Sequence, residues 1–586
     1  MMTRRTNMKA KSKVLLLCTA FVLLVSGILT MFTKGQPVAN DDVQDTPTKQ
    51  SKNLIVLIGD GMGPSQVTLS RLYAQQFEEK DQLFMDDYFV GTNSTKADAS
   101  LDDKESGLVT DSAASGTAFA TGHKTYNGAI SVTNEPMAKP IASVLEAAKM
   151  DGKSTGLVST ARITHATPAV YAAHVRSRDN ENAIASQYAT ADIDVLIGGG
   201  ERHFVGDDQE AKFGETKRED GENVVKAFEE QGYTLAYNKE ELQKAEGDKL
   251  LALLSDTHVP YVLDRDETIP SLKEQLEKAI SILEQNEEGF VMMVEAGRID
   301  HGGHANDIHS VVQELLEFDE AFEAAVNYAK ESGDTSVIAT ADHETGGLTI
   351  GRDGVYEVNM DVFKNVTASS EEIGRLLDEA STDEDIKKIM KDYAKIDDLT
   401  DEELKRFKEE AEKEETIGGG GVFNEIIAKR SYVGWTGYGH TGVDVGVYGY
   451  GPAAELLRGF NDNTDFAKSG AEALGLDLEV ATKTLQEEAI YPLIKEREEQ
   501  ESLIGLEGLQ EQYGFTVEKK EGAFEVAGDK VSFTINEKDE QVVVGKETYD
   551  VQLENDVVYV PITLLEQLTT ASIQWDSLSE RIILKK

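Results

Sequence analysis

The 586-residue chain sets 58 Lys and Arg against 107 Asp and Glu, a formal charge of −49, and 40% of it is hydrophobic. This excludes a basic surface for nucleic acid, whose phosphates would be repelled, and suits a solvated exterior in a salty or alkaline medium. The single cysteine, Cys18, lies in an N-terminal apolar run, which excludes disulfides, thiolate-held zinc, cysteine nucleophiles and iron–sulfur clusters from the rest of the chain.

The basic start MMTRRTNMKAKSK leads into twenty uncharged, mostly apolar residues, Val14 to Thr33. Residues 1–35 therefore read as an export signal, and the run is also long enough to span a bilayer. A cleaved signal and a retained anchor both stay open. Either way the body of the protein is expected outside the cytoplasm, with membrane or wall attachment through the termini. Residues 36–51 read as a polar tether.

NLIVLIGDGMG at 53–63 is an unbroken apolar run ending in glycines, as in a strand buried on both faces that enters a tight turn. Asp60 in that turn is either a satisfied turn aspartate or a metal ligand, and GxxxxGK[ST] is absent. VTDSAASGTA at 109–118 places Asp111 and Ser112 ahead of very small side chains. That predicts a capped helix start whose helix can approach its neighbours closely. Similar buried strands follow at 154–160, 194–200, 290–296 and 335–343, with helical patterns between them. Strands alternating with helices predict an α/β fold with a largely parallel sheet, which binds ligands beyond the carboxyl ends of its strands.

Between the strands, TARITHATPAVYAAHVRSR supplies His165, Thr167 and Arg178. An arginine fork matches two phosphoryl oxygens, although Arg178 or Arg176 taken alone reads sooner as a surface arginine. VEAGRIDHGGHAND supplies Glu295, Asp300, His301 and His304; if helical, Asp300 and His304 share a face. ATADHETGG adds Asp342 and His343, and GYGHTG adds His440. Carboxylates with imidazoles and no thiolates suit catalytic zinc, with magnesium or manganese where oxygen dominates. Residues 360–420 turn charged and helix-rich and read as a surface insertion with solvated faces, or a lid, with GGGG at 418–421 as a flexible connection. Residues 505–586 read as a small β-rich domain that faintly resembles copper-amine-oxidase-N-like modules; having no histidine or cysteine, it is assigned neither copper nor catalysis.

Six segments in order, GDGMG, VTDSAASGTAFATGHKTYNGA, THATPAVYAAHVRSR, EAGRIDHGGH, TADHETGG and GHTG, resemble the alkaline phosphatases. The resemblance implies a three-layer α/β sandwich over residues 52–498. It also implies hydrolysis of small phosphate monoesters at alkaline pH through a phosphoserine. Ser112 would be the nucleophile, Arg178 the phosphate-binding group and Asp111 the group that orients Arg178. One zinc would be held by Asp60, Asp342 and His343, a second by Asp300, His304 and His440, and a magnesium by Asp60, Thr167 and Glu295. His165 and His301 stand where the best-known bacterial pattern has aspartate and lysine, and other branches carry histidine at both. With them the third site is expected to prefer zinc or cobalt, or to hold magnesium weakly, and product phosphate to leave faster. Many relatives are dimers, so a homodimer is one option, and the oligomeric state stays open.

Two related hydrolases fit less well. A sulfatase needs C/S-x-P-x-R, whereas Ala-Ala-Ser follows Ser112. A diesterase usually uses threonine, and Asp111-Ser112 aligns better than Thr110. A binding module that kept the fold and lost activity is disfavoured because every expected ligand is present.

Overall fold

The computed structural model describes residues 50–584, apart from 102, 105, 208, 215, 412, 414–416 and 498–500. The apolar N-terminal run and most of the tether lie outside the described residues. Among the described residues no helix is long and apolar enough to cross a membrane.

Ten strands build the central sheet. In chain order they are β1 (Asn53–Gly59), β2 (Phe89–Ser94), β3 (Ser154–Arg162), β4 (Val195–Gly199) and β5 (Thr234–Ala236). They continue as β6 (Leu250–Leu253), β7 (Phe290–Ala296), β8 (Thr335–Thr340), β9 (Val445–Tyr450) and β10 (Gly459–Asp462). Across the sheet the order is β10-β2-β9-β8-β1-β7-β3-β4-β6-β5. β9 is antiparallel to both its neighbours, and the other pairings are parallel.

Successive side chains of β1 go to opposite faces: Ile55 and Leu57 to one core, Leu54, Val56 and Ile58 to the other. β7 does the same with Phe290, Met292 and Val294 against Val291 and Met293. Helices cover both faces, so the strands are apolar throughout rather than alternating. This is the three-layer α/β sandwich expected from the sequence. The helices that bear on the site are α1 (Ser112–Thr121), α2 (Glu181–Ala191), α3 (Arg298–His304), α4 (Ser370–Asp378) and α5 (Gly418–Ser431).

The charged insertion is helical, as its composition predicts, but it is more than a solvated appendage. Phe363, Ile373, Leu377, Met390, Leu404 and Phe407 are buried and continuous with one of the two main cores. The glycine run corrects the expectation of a flexible connection, because it forms the first turn of α5. The reason is steric. A Cβ on Gly420 would lie 2.4 Å from the Ser370 carbonyl oxygen, and one on Gly419 2.5 Å from the Leu377 Cβ. Only glycine lets α4 and α5 approach this closely, and the contact holds it helical despite its poor propensity.

The C-terminal module is a set of short antiparallel sheets around its own core, including Leu506, Phe515, Val526, Ile535, Val560 and Leu565. Its ladders reach back to Ala489–Ile490, which pairs with Arg581–Ile583.

Candidate metal centre and nucleophile

Four adjacent strands deliver the site at their carboxyl ends. β1 runs into Asp60, β7 carries Glu295 in its last residues, and β8 runs into Asp342 and His343. All four side chains are fully buried. β3 leads into the turn that carries His165 and Thr167. α3 brings Asp300 and His304 onto one face, with Asp300 Oδ2 3.3 Å from His304 Nε2. His440 closes the group, its Nε2 3.1 Å from His304 Nε2 and 3.5 Å from Asp300 Oδ1.

Ser112 is the first residue of α1, which Asp111 caps by accepting from the Ala114 N–H at 2.9 Å. Ser112 Oγ is 3.2 Å from His343 Nε2, whose ring stacks on His440 with centroids 3.5 Å apart. The second oxygen of Asp111 accepts from the Gly128 N–H at 3.0 Å and from Arg178 Nη1 at 3.1 Å. Arg178 Nη2 donates to His165 Nε2 at 3.0 Å. A guanidinium only donates, so that nitrogen accepts and the neutral ring carries its proton on Nδ1.

The donor set fits cations. Both carboxylate oxygens of Asp60, one each of Asp342 and Glu295 and the Thr167 hydroxyl are buried without a hydrogen-bond partner. Leaving such groups unmatched is costly, and a cation satisfies several at once. Three groups have donor atoms within 4.8 Å of one another: Asp60, Asp342 and His343; Asp300, His343 and His440; and Asp60, His165 and Glu295. The candidate nucleophile, carboxylates, imidazoles and Arg178 thus converge at one end of the sheet, whereas Arg176 donates to the Pro492 carbonyl instead. His301 borders them, its ring centroid 5.8 Å from that of His165.

Electrostatics show the same demand for positive charge. Burial, reinforced by Asp342, Asp300 and Glu295, drives Asp60 well above the ordinary aspartate range. Burial carries Glu295 up to about 7. Burial opposes the charged form of His304, yet its hydrogen bond and charge pairing with Asp300 raise it to about 9. Burial and the neighbouring His343 bring His440 down to about 4. Burial and Arg178 hold His165 neutral.

A carboxyl raised on folding stabilises the fold only while protonated. For Glu295 that contribution is complete below its ordinary 4.5 and is lost as pH rises through about 7. Chelated protein is therefore expected to lose Tm between about pH 5 and about pH 8, and restored cations to recover it at the upper pH. A metal-free Tm that is flat or rises over this range contradicts the assignment.

Several contributors carry no sequence signal of their own. Ser159 donates to Glu295 and Thr345 to Asp300. His258 stands 4.1 Å, ring to ring, from His301. A lone serine within an apolar strand or a histidine in a loop is too common to select; only proximity to the acids marks them. The insertion walls a cavity of about 620 Å³ beside His301 and His304, lined among others by Arg298, Glu371, Gly374, Asn424 and Tyr438.

A helix-borne serine facing buried carboxylates and imidazoles, with an arginine fork beside it, defines a metal-dependent phosphoryl-transfer hydrolase. The alkaline phosphatase profile matches residues 51–476, and the chain belongs to that family. Alkaline phosphatase 3 of Bacillus subtilis (strain 168) is 39% identical over 444 residues, 74% of this chain and 91% of the relative. The cold-active alkaline phosphatase of Shewanella sp. superposes with a TM-score of 0.64 at 36% identity, covering 72% of this chain and 99% of that one. A histidine-to-glutamate variant of the TAB5 alkaline phosphatase, solved with magnesium in its M3 site, has a TM-score of 0.52 at 26% identity and covers 73% and 99%. The chain is a metal-dependent phosphomonoesterase that works through a phosphoserine.

Proposed function

We propose that Ser112 is the nucleophile of a zinc- and magnesium-dependent phosphatase for small monoesters, exported from the cytoplasm by its N-terminal segment. The observation that carries this reading is Ser112 Oγ, 3.2 Å from His343 Nε2 at a helix start, beside buried carboxylates without partners. Mixed imidazole and carboxylate donors favour zinc at Asp60–Asp342–His343 and at Asp300–His304–His440. The oxygens of Asp60, Thr167 and Glu295 favour magnesium.

When bound, the cations lower the pKa of a hydroxyl or water and neutralise charge on the entering and leaving oxygens. Ser112 Oγ attacks phosphorus in line with the departing alkoxide, giving the phosphoserine and the free alcohol. A water then attacks from the opposite side, and Ser112 leaves with inorganic phosphate released. Arg178 binds two non-bridging oxygens throughout, held by Asp111 on one side and His165 on the other. The first turn of α1 adds backbone N–H groups and the positive end of its dipole. The chain's part is positioning and charge, as phosphoryl transfer requires.

His165 makes the third site less oxygen-rich than magnesium prefers, in keeping with the TAB5 variant, which has glutamate for a histidine and holds magnesium. Purified protein is expected to hold about two zinc ions per chain and little magnesium. His165→Asp is expected to tighten magnesium binding about tenfold, read by metal analysis and by magnesium activation. Unchanged magnesium affinity in a folded His165→Asp protein, or an absence of zinc in active wild type, overturns this ion assignment.

A further inference from the structure

The family match ends at residue 476, before the C-terminal module begins, and no part of the reaction calls on that module. Its place of attachment is nonetheless specific. It docks on the segment that carries Arg178. Two residues before Arg178, Arg176 Nε donates to the Pro492 carbonyl at 2.9 Å. The same guanidinium donates to the carbonyls of Glu135 at 2.9 Å and Pro136 at 2.8 Å. That loop is itself tied to the module, because Met137 packs on the module core, and Ala138 beside it exchanges backbone hydrogen bonds with Tyr491 in the stretch that leads into the module. Two residues after Arg178, Asn180 Nδ2 donates to the Leu578 carbonyl at 2.7 Å, and the Leu578 side chain packs against the phosphatase core.

One flank of the phosphate-binding arginine is thus fastened to the module at Leu578, and the other to Pro492 in the stretch that leads into the module and to the 135–137 loop beneath it. Between them the Arg178 guanidinium is held by Asp111 and His165, the Arg178 N–H donates to the Gly128 carbonyl at 2.7 Å, the Tyr126 hydroxyl donates to the Arg176 carbonyl at 3.2 Å, and Asn180 Oδ1 caps α2. A guanidinium that must meet two phosphoryl oxygens tolerates little displacement, since misplacement by about 1 Å can cost up to about a hundredfold in rate.

We propose that the C-terminal module is a positioning element for phosphate binding, acting through Arg176 and Asn180 to hold Arg178 at the site. This rests on the reading of Arg178 as the phosphate-binding group. It gives the module a part in substrate affinity that its lack of histidine and cysteine does not suggest. It also makes the module a route by which a contact on its surface would change phosphate affinity.

The test is a double-mutant cycle in the full chain. Arg176→Lys keeps the charge and removes the fork; Asn180→Ser keeps a helix-capping oxygen and removes the donor to Leu578. The paired variant is expected to weaken inhibition by inorganic phosphate about fivefold and to raise KM in step, with zinc content and Tm near wild type. In an Arg178→Ala background the same pair is expected to change the phosphate constant no further. Should the pair prove unstable, Asn180→Ser alone carries both arms. A wild-type phosphate constant in the folded pair overturns the proposal, as does an equal loss with and without Arg178. If Arg178→Ala alone left phosphate binding intact, the role of Arg178 itself would fall, and that outcome is distinct from failure of the clamp.

Discussion

Ser112→Ala is expected to lower kcat for phosphate monoesters by on the order of 10⁴ to 10⁶, as removal of a nucleophile that acts with its neighbours does. The loss should fall on kcat, because the groups that bind phosphate are separate from the hydroxyl. Arg178 keeps its hold on Asp111 and His165, and Asp111 still caps α1 through the Ala114 N–H. Zinc content should stay near wild type, since the carboxylates and imidazoles are untouched. Ser112 is buried at the first position of a ten-residue helix of small side chains, so losing one oxygen leaves the packing intact. Phosphate should still bind, and residual turnover would measure what cations and arginine contribute without covalent chemistry. An alanine variant with wild-type kcat would remove the serine from the reaction.

The second large effect is expected from Asp60→Asn, which separates activity from stability. Asp60 belongs to two of the three candidate ligand groups, and both its oxygens are buried without partners. Asparagine keeps the shape and removes the charge, so both groups weaken together. Activity is expected to fall about a thousandfold or more, the scale of losing several kcal/mol of metal assistance, and zinc content to fall with it. The metal-free protein should respond the other way. Burial and neighbouring carboxylates hold the Asp60 carboxyl well above its ordinary range, so its ionisation strains the metal-free fold as pH rises. The amide that replaces it cannot ionise. Metal-free Asp60→Asn is therefore expected to melt above metal-free wild type at alkaline pH, although its metal-loaded form is the poorer enzyme. A variant with normal zinc content and activity contradicts the placement of Asp60 at the cations.

What could be read in advance follows from how each feature is written in the chain. β1, β3, β4, β7 and β8 are buried on both faces and therefore appear as continuous apolar runs. β2 carries Gly, Thr, Asn and Ser, and β5 has three residues, so neither stands out from loop sequence. The ligands were legible because acids and histidines follow apolar strands, where an unmatched charge is costly. Ser159, Thr345 and His258 were not, because their importance comes from neighbours brought in from distant sequence. The glycine run at 418–421 misled for the same reason: glycine argues locally for flexibility, and only the facing α4 shows why small residues belong in a helix there. The fastening of Asn180 to the module, and of Arg176 to the stretch that leads into it, was likewise invisible, since backbone carbonyls accept those bonds and leave no side-chain pattern.

In the proposed mechanism a buried serine at a helix start becomes an attacking oxygen among candidate ligand groups gathered from neighbouring strand ends. The most direct measurement is acid quenching of the metal-loaded enzyme during turnover of a monoester, followed by peptide mass analysis. A phosphoryl group is expected on the peptide containing Ser112, at Ser112 itself, and none in protein stripped of metal. A phosphoryl group on another residue, or none at all in enzyme quenched while turning over with phosphoserine hydrolysis slowed at low pH, would contradict it.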